Sequence, residues 1–517
     1  MLSRSYSASI LGVEGYIVTV EAHVGLGIPG LTLVGQTTGA LNEARERVKT
    51  ALGHCGHEIR PRRQIVNLAP ADRRKDSPGL DLAIAAALLA AHGVVPVESL
   101  SRCVLWGELA LDGTLRPARG ALVVAECARR NGFRSMLVAA GNQREAAMIP
   151  DLEVLTVGSL PDLIAHLRGE RSAPKATPAP PDATDQSGAE LPDLADVRGQ
   201  TMARYAVEVM VAGGHNLLLH GPPGVGKTML ARRVAGLFPP LEPEWALQVT
   251  KIHSVARGDV ATSLARRVPV RMPHHSVSAA GLLGGGTPPR PGEVSLAHRG
   301  VLFLDELPEF SRACLEGLRE PLEDGVVSLV RAGHHVRFPA RFQLMAAMNP
   351  CPCGYSGHPE RACTDSVQAI ERYQRRLSGP LVDRMDLVVP VLPVSAEDLR
   401  RAPTPESSRV VRARIEVAWD CQRRRFAGSP FRTNADLNGH VRQLERYCRL
   451  TAEAERLLES VALARHLSPR VQHRLRRIAR TVADLEPDAE PQSTIEARHV
   501  AAAANLRRLP DRLAPAS

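Results

Sequence analysis

The sequence predicts a multidomain α/β protein whose central domain is built on a parallel sheet. Its 517 residues are too many for one hydrophobic core, and about 150 residues per domain suggests roughly three domains. Short apolar runs at Leu217–His220 and Val301–Leu304 each lead into a polar motif, as buried parallel strands do. From about Ser395 onward the pattern is helical and rich in arginine, with no further strand signal.

A stretch rich in Pro, Ala and Ser marks the clearest domain boundary. Residues 171–191 have no periodic apolar face, which predicts a flexible linker. In residues 1–170, strands rich in Val and Ile alternate with helices such as Thr38–Gly53 and Asp81–Gly93, so we expect an α/β domain there. After the linker we expect an α/β core at residues 192–394 and a helical domain at residues 395–517.

The composition restricts the partners and the compartment. Lys and Arg number 65 against 55 Asp and Glu, giving a formal charge of +10 and a pI of about 9.4. This surplus favours a polyanionic partner, although solubility alone explains it equally well. The nine cysteines follow no regular disulfide framework, which is typical of a reducing compartment. No apolar stretch reaches the ~18 residues of a membrane span, so we expect a cytoplasmic protein without a membrane partner.

The strongest chemical signal is a phosphate-binding loop that follows a predicted strand and precedes a predicted helix. It matches G-x-x-x-x-G-K-[ST] and consists of Gly221, Pro222, Pro223, Gly224, Val225, Gly226, Lys227 and Thr228. In such a loop the backbone N–H groups turn toward phosphates at the start of the helix. Lys227 would reach the β- and γ-phosphates, and Thr228 would supply a hydroxyl to Mg²⁺, so ATP and Mg²⁺ are the predicted cofactors.

Further polar residues follow apolar segments where the rest of an ATPase site is expected. Asp305, at the end of the second strand, would hold Mg²⁺, and Glu306 would polarise the attacking water. Asn349 ends a third strand, at the position of a γ-phosphate sensor. Arg384 lies between acids just before an apolar strand, either as a finger that neutralises charge on a neighbouring subunit's nucleotide or as a surface ion pair.

Several long and unusual strings make the chain similar to one family. They are Gly213-Gly-His-Asn-Leu-Leu-Leu, Met272-Pro-His-His-Ser-Val-Ser, the run from Gly284 to His298, and Ala346-Ala-Met-Asn-Pro-Cys-Pro-Cys-Gly. With them, nearly the whole chain apart from the linker resembles the ComM/YifB family of magnesium-chelatase-like AAA+ ATPases. The resemblance implies a homohexameric ring, with Asn349 as sensor 1, Arg384 as a trans-acting arginine finger and Arg470 as sensor 2 in a C-terminal helical lid.

The resemblance also implies a function. Members of the ComM type are branch-migration helicases in recombination or DNA uptake, so single-stranded or branched DNA is the expected partner. Two alternatives remain open, a protein-remodelling AAA+ ring and a magnesium-chelatase-type ATPase subunit. The second normally needs large partner subunits, and nothing in this sequence resembles a porphyrin site.

Two insertions are expected to face the pore of the ring. Gly284–Gly292 is consistent with the helix-2 insert of this clade, and residues 326–339 alternate before a Gly-containing turn, which predicts a hairpin before sensor 1. Near that turn the sequence places four basic or potentially basic residues, Arg331, His334, His335 and Arg337. Such groups would contact DNA phosphates, whereas a solvated hairpin is the alternative interpretation.

The N-terminal domain resembles the Lon-protease and ribosomal-S5-like α+β type. Gly79 stands where the resemblance would place the serine nucleophile, and Val124 stands where it would place the lysine. Without nucleophile and base, we expect no proteolytic activity.

A short cysteine cluster follows the third strand. The sequence places Cys351, Cys353 and Cys363 near Asp365, and three thiolates with a carboxylate would suit a tetrahedral zinc site. His358 is a second candidate for the fourth ligand, and a degenerate loop with free thiols is the alternative.

Overall fold

A computed structural model of the protein describes residues 1–35, 39–57, 62–73, 75, 77–177, 191–257, 263–287, 289–331 and 334–508. Most of the predicted linker, residues 178–190, lies outside them. The strands are β1 (Leu2–Leu11), β2 (Glu14–Gly25), β3 (Gly30–Val34), β4 (Arg63–Ala69), β5 (Cys103–Trp106), β6 (Glu108–Leu109), β7 (Leu115–Arg116), β8 (Ser135–Ala139), β9 (Glu153–Val157), β10 (Leu217–His220), β11 (Val270–Arg271), β12 (Gly284–Gly285), β13 (Arg290–Pro291), β14 (Val301–Leu304), β15 (Val326–Arg331), β16 (His334–Pro339), β17 (Gln343–Met348) and β18 (Leu387–Pro390).

The helices of the described residues are α1 (Gly39–His54), α2 (Asp81–Ala91), α3 (Ala121–Arg130), α4 (Gln143–Ala146), α5 (Leu160–Leu167), α6 (Thr201–Gly213), α7 (Lys227–Arg233), α8 (Pro243–Arg257), α9 (Ala279–Leu283), α10 (Glu293–Leu296), α11 (Arg312–Gly317), α12 (Arg319–Asp324), α13 (Val367–Gln374), α14 (Gly379–Val382), α15 (Ala396–Arg401), α16 (Ser408–Arg425), α17 (Val441–Tyr447), α18 (Ala452–Ala464), α19 (Pro469–Asp484) and α20 (Ala497–Asn505). None of these helices is both long and apolar enough to cross a bilayer.

The first compact unit comprises Met1–Ser187 and Pro243–Ala265 and is built on a mixed sheet. Its strand order is β3-β4-β2-β1-β5-β8-β9, with β1 antiparallel to β2 and parallel to β5. Every residue of α2 is buried, in keeping with its sequence of mostly alanine and leucine. The small side chains Ser3 and Ser5 of β1 let this helix approach closely, and their hydroxyls donate hydrogen bonds to α2 carbonyls at 2.6 and 2.7 Å.

Helix α8 belongs to this first unit although it follows the phosphate-binding loop (the P-loop, Gly221–Thr228) in the chain. The domain boundaries predicted from the sequence do not include this assignment. The ammonium of Lys251 pairs with Glu126 of α3, and both side chains are buried. The hydroxyl of Ser254 donates to the buried carboxylate of Glu145 at 2.6 Å, while burial raises the pKa of Glu145. These polar contacts fix α8 to the unit, because removing either partner would leave a buried group without its hydrogen bond or counter-charge.

The second unit comprises Gly188–Glu242 and Arg266–Ser517, and its core is a parallel sheet with strand order β11-β14-β17-β10-β18. The residues of β14 are all buried, as expected for parallel strands covered on both faces. The predicted parallel-sheet core is therefore confirmed. Because all five strands run in the same direction, the segments after β10, β14 and β17 emerge at one edge of the sheet, where α/β proteins bind their ligands.

Helices cover both faces of this sheet. Helices α6 and α16 contribute to the core on one face, and α11 and α12 lie over the other. The helices that follow β18 are joined by buried charges as well as by apolar contacts. Arg425 of α16 and Arg480 of α19 both contact Asp484, and all three side chains are almost fully buried.

Candidate nucleotide-binding and catalytic site

The P-loop turns sharply where β10 ends. Gly224 and Gly226 have φ angles of +79° and +97°, in the left-handed region that glycine adopts without strain. At Gly221 an added Cβ would lie 2.1 Å from the carbonyl oxygen of Val391, so only glycine fits there. Helix α7 begins directly after the loop, at Lys227. The backbone conformation is therefore the one that a phosphate-binding loop requires.

Lys227 joins the P-loop to the end of β17. Its ammonium donates to the carbonyl oxygens of Gly221 and Pro222, at 2.7 Å each, and to Oδ1 of Asn349 at 3.1 Å. Burial lowers the pKa of Lys227 to about 8, although the charges of the nearby carboxylates oppose that shift. The ammonium contacts neutral oxygens and pairs directly with no carboxylate among the described residues, so its charge remains available for a phosphate.

Thr228 and Asp305 come together as the sequence predicts. The threonine hydroxyl donates to Oδ2 of Asp305 at 2.6 Å. Hydroxyl and carboxylate oxygens are the hard donors that Mg²⁺ prefers, and it usually takes only one or two carboxylates from the protein. The donor set at this position therefore fits Mg²⁺.

Glu306 has an unusual backbone conformation. Its φ and ψ are 52° and 48°, in the left-handed region that is rare for residues other than glycine. Such a conformation costs on the order of 1–3 kcal/mol and is found disproportionately at functional sites. The side chain is about half exposed, so water reaches its carboxylate.

The three thiols of the cysteine cluster lie together. The Sγ–Sγ distances are 3.4 Å for Cys351–Cys353, 3.6 Å for Cys351–Cys363 and 3.5 Å for Cys353–Cys363. A tetrahedral zinc site with Zn–S bonds of about 2.3 Å needs sulfur atoms about 3.8 Å apart. Oδ2 of Asp365 lies 3.9 Å from Cys363 Sγ and accepts the Cys353 N–H at 2.8 Å, and the four candidate ligand atoms lie within 4.8 Å of one another.

Between the two candidates for the fourth ligand, the geometry favours Asp365. Nδ1 of His358 accepts the backbone N–H groups of Glu360 and Arg361, and the histidine does not belong to the cluster.

The cysteine loop also touches the P-loop. Gly354 has φ +87°, and a Cβ added there would lie 2.6 Å from Cδ of Pro223. Since Cys351 follows Asn349 by only two residues, the loop contacts one phosphate-site element and is continuous with another.

Arg384 lies at the opposite edge of the sheet from the P-loop. It follows α14 and precedes β18, and its backbone carbonyl accepts from Asn216, the residue just before β10. Its guanidinium contacts Glu323 and the carbonyl of Pro380, and the side chain is one-fifth exposed. The residue therefore makes an ion pair within its own chain, and burial lowers its pKa.

Arg470 lies in the first turn of α19, where it is exposed and makes no hydrogen bond or ion pair with any described residue. One and two turns further on, Arg474 and Arg477 contact Asp386 at 3.3 and 3.1 Å. Since Asp386 immediately precedes β18, α19 packs at the same sheet edge as Arg384. The helix that carries Arg470 and the segment that carries Arg384 therefore meet at that edge.

Comparison with known proteins identifies the family. Three family models match the chain: "Magnesium chelatase, subunit ChlI" at residues 193–399, "Subunit ChlI of Mg-chelatase" at residues 20–142, and "Magnesium chelatase, subunit ChlI C-terminal" at residues 405–507. The uncharacterized protein YifB of Escherichia coli is 42% identical over 515 residues, covering 99% of this chain and 98% of YifB. The competence protein ComM of Haemophilus influenzae is 40% identical over 493 residues, covering 95% of each chain.

The chain belongs to the ComM/YifB family of magnesium-chelatase-like AAA+ ATPases. An uncharacterized protein of Mycobacterium tuberculosis is also 43% identical, over 495 residues that cover 95% of this chain and 96% of the relative. The predicted family is thus confirmed. These matches extend over both compact units and are not confined to the P-loop region.

The segment expected to contact DNA is an antiparallel hairpin. Strands β15 and β16 pair with Arg331 opposite His334 and Ser328 opposite Arg337. His335 and Arg337 are exposed, alternating with the buried residues Val336 and Phe338. The side chains of Arg331 and His334 lie outside the part of the chain that the structure describes. Within the described residues, therefore, one face of β16 presents the predicted basic groups to solvent.

Two residues beside the site make contacts that the sequence patterns did not single out. Nδ1 of His275 lies 3.2 Å from Oε2 of Glu306. The side-chain amide of Gln200 donates to the carbonyls of Val225 and Leu392, at 3.2 and 2.8 Å, and so links the P-loop to the segment after β18. For His275 the available signal was its place in the string 272–278; for Gln200 the sequence offers none.

Proposed function

We propose that this protein is an ATP-hydrolysing DNA motor, a branch-migration helicase of the ComM type that acts in recombination or DNA uptake. The observation that carries the proposal is the convergence of Lys227, Asp305, Glu306 and Asn349 at one edge of a parallel sheet. In this arrangement a cation, a Mg²⁺-binding carboxylate, a general base and a polar sensor surround one phosphate position.

Each of these residues has a separate role in ATP hydrolysis. Thr228 and Asp305 would hold Mg²⁺, which when bound would neutralise charge on the β- and γ-phosphates. Lys227 exchanges the carbonyls of Gly221 and Pro222 for phosphate oxygens. Glu306 orients the attacking water and accepts its proton.

Assembly into a homohexameric ring completes the site. Arg384 lies at the sheet edge opposite its own P-loop, and α19, whose first turn carries Arg470, packs at that edge. These positions support action of the two arginines on the nucleotide of a neighbouring subunit. For Arg384 this requires the guanidinium to leave Glu323. An arginine supplied in this way neutralises charge that develops on the transferred phosphoryl group.

DNA is the proposed substrate because three features favour it. The chain has a formal charge of +10, the exposed face of β16 carries His335 and Arg337, and one relative is named a competence protein. Phosphate contacts from such groups are independent of sequence and sensitive to salt. The family-model descriptions also favour a second candidate, an ATPase subunit of a magnesium chelatase, which would not respond to DNA.

We also propose that Cys351, Cys353, Cys363 and Asp365 bind one Zn²⁺. The protein purified without chelator should contain one zinc per chain, and Co²⁺ exchanged into the site should give the absorption bands of tetrahedral thiolate coordination. Cys353→Ser should lose the metal, whereas Cys55→Ser, a thiol outside the cluster, should retain it. Full zinc content in Cys353→Ser would refute this ligand set.

The motor function is tested by steady-state phosphate release without DNA and with single-stranded, duplex and four-way-junction DNA. We expect stimulation by single-stranded or branched DNA. Lys227→Ala should abolish hydrolysis because the phosphate charge loses its cation, and Glu306→Gln should retain ATP binding but hydrolyse slowly. Glu306→Gln turning over at the parental rate would refute the assignment of the base. Parental hydrolysis that no DNA changes would favour the chelatase-type or protein-remodelling alternative.

A further inference from the structure

Two aliphatic side chains in the loop between β2 and β3 have no role in the proposed mechanism. Leu26 and Ile28 are 93% and 88% exposed, the highest values for large apolar side chains among the described residues. Burial of such side chains against a partner is favourable, whereas in water they contribute nothing to folding. We propose that this loop is a second DNA contact, at which Leu26 and Ile28 insert between bases at a branch point; this rests on the proposed DNA motor.

The loop has the shape of a narrow wedge. Glycines at positions 25, 27 and 30 alternate with the larger residues, so few side chains widen the loop. Gly27 has a φ of +142°, and a Cβ added there would lie 3.0 Å from Cδ of Arg63, so a larger residue would strain the backbone and crowd the arginine. Leucine and isoleucine are among the side chains that proteins insert between base steps of DNA. The loop therefore has both the width and the side chains that insertion requires.

The base of the loop is positively charged. The N–H of Gly30 donates to the carbonyl of Arg62 at 3.3 Å, and Gly25 of β2 pairs with Arg63 of β4. Both arginines are exposed. The sequence has no Asp or Glu at residues 22–35 or 59–71, so these charges are not neutralised locally along the chain. They suit the phosphates beside an opened base step, whereas a second copy that met this loop with its own would bring like charges together.

The exposed apolar surface continues onto the start of β1. The carbonyl of Met1 accepts the N–H of Val24 at 3.1 Å, and Leu2 pairs with His23, so both residues lie beside the start of the loop. The side chains of Met1 and Leu2 are more than half exposed. They would pack against the sugars next to the inserted residues, because the sugar rings are among the less polar parts of a nucleic acid.

Insertion predicts a preference for branched over continuous DNA. Opening a base step in an intact duplex has an energetic cost, which is smaller where the bases are already unpaired or unstacked. The aliphatic side chains therefore supply the preference for structure. Arg62 and Arg63 supply affinity that depends on salt and not on structure. Substitution separates these two contributions.

The test measures the Kd of the full chain for a four-way junction and for a continuous duplex of equal length. A 2-aminopurine base at the branch point reports unstacking by a rise in fluorescence. The parent should prefer the junction and raise the fluorescence. Leu26→Ser/Ile28→Ser should lower the preference about tenfold, because burial of two aliphatic side chains is lost, and should leave the fluorescence unchanged. Leu26→Met/Ile28→Met should restore both, since methionine also inserts between bases.

Two further variants serve as controls. Leu111→Ser/Leu463→Ser removes two exposed leucines from other parts of the chain and should keep the parental preference. Arg62→Ala/Arg63→Ala should lower the slope of log affinity against log salt by roughly one unit per arginine, with the junction-to-duplex ratio of affinities unchanged. All of these substitutions replace exposed side chains, so basal ATP hydrolysis and the melting temperature should stay parental.

Several outcomes would overturn the proposal. They are equal affinity of the parent for junction and duplex, and a folded Leu26→Ser/Ile28→Ser protein that keeps the parental preference and fluorescence. Altered assembly of that variant with unchanged DNA binding would assign the loop to a contact between copies of the chain instead. If the parent converts junctions with ATP while the loop variant keeps the full preference, only this inference fails. If the parent binds no DNA, the proposed function fails and the role of the loop fails with it.

Discussion

Replacing Asp386 by asparagine tests the charge network that joins α19 to the core sheet. Burial favours the protonated form of this carboxyl, but Arg477, His215 and Arg474 outweigh that effect and hold the pKa of Asp386 well below its usual range. The two guanidinium groups that contact it are themselves 8% and 4% exposed. In Asp386→Asn these buried cations would face a neutral amide.

The contacts of the two arginines determine how much stability Asp386→Asn should lose. Removing one partner of a buried ion pair costs about 3–5 kcal/mol. The lower end applies here, because Arg477 keeps a hydrogen bond to Ala435 and Arg474 keeps one to Asp383. We therefore expect the free energy of unfolding of this region to fall by about 3 kcal/mol. Such a fall corresponds to a roughly hundredfold loss of hydrogen-exchange protection for the amides in α19 and β18.

Hydrogen exchange followed by mass spectrometry provides the assay, since it reports each segment separately. Peptides from β1 and β2 in the first unit act as an internal reference and should be unchanged. Asp196→Asn is the matched control: its ion pair with Arg233 involves a carboxylate that is about half exposed, so the loss should stay within about 0.5 kcal/mol. Parental protection of α19 in Asp386→Asn would refute the idea that this network stabilises the unit.

Three further predictions concern the assembly, DNA and pH. Mixing Arg384→Ala with Lys227→Ala subunits should restore part of the ATPase activity, since some interfaces then combine intact halves; no recovery despite demonstrated subunit exchange would contradict a trans-acting finger. Replacing Arg331 and Arg337 by alanine should lower the slope of log affinity for DNA against log salt by roughly one unit per arginine, and a parental slope would remove the hairpin from the DNA contact. Burial, together with neighbouring arginines, lowers the pKa of His298 to about 3, whereas an unfolded histidine titrates near 6.5, so only the unfolded chain takes up this proton between those values. Stability should therefore fall by up to about 1.4 kcal/mol per pH unit as the pH drops below about 6.5; urea titrations at pH 7 and 5.5 should show a smaller fall for His298→Phe than for the parent, and equal falls would refute the assignment.

The residues of the candidate ATPase site could be predicted because each of them lies in a recognisable local sequence motif. Lys227, Asp305 and Asn349 each follow an apolar strand signal, and parallel strands bring such ends to one edge regardless of their separation in the sequence. The structure brings Lys227 within 3.1 Å of Asn349, 122 positions away, and Thr228 within 2.6 Å of Asp305. The cysteine cluster was predictable as a group, but whether Asp365 or His358 completes it depends on the path of the loop and not on spacing.

Features that depend on packing between distant segments could not be predicted. No periodicity indicates that α8 belongs with the N-terminal unit, because its contacts to Glu126 and Glu145 join segments that lie far apart in the sequence. The left-handed backbone of Glu306 and its contact with His275 arise from the turn after β14 and the course of the chain after β11. The partner of Arg384 is Glu323 of α12, which sequence proximity does not suggest.

The most direct measurement of the central claim follows a mobile four-way DNA junction as it is converted to duplex products by the purified protein. The account predicts conversion that requires ATP hydrolysis, is lost in Glu306→Gln although that variant still binds ATP, and declines steeply as salt increases. Rapid ATP hydrolysis by the parent protein without any conversion of junction or forked DNA would contradict a DNA motor.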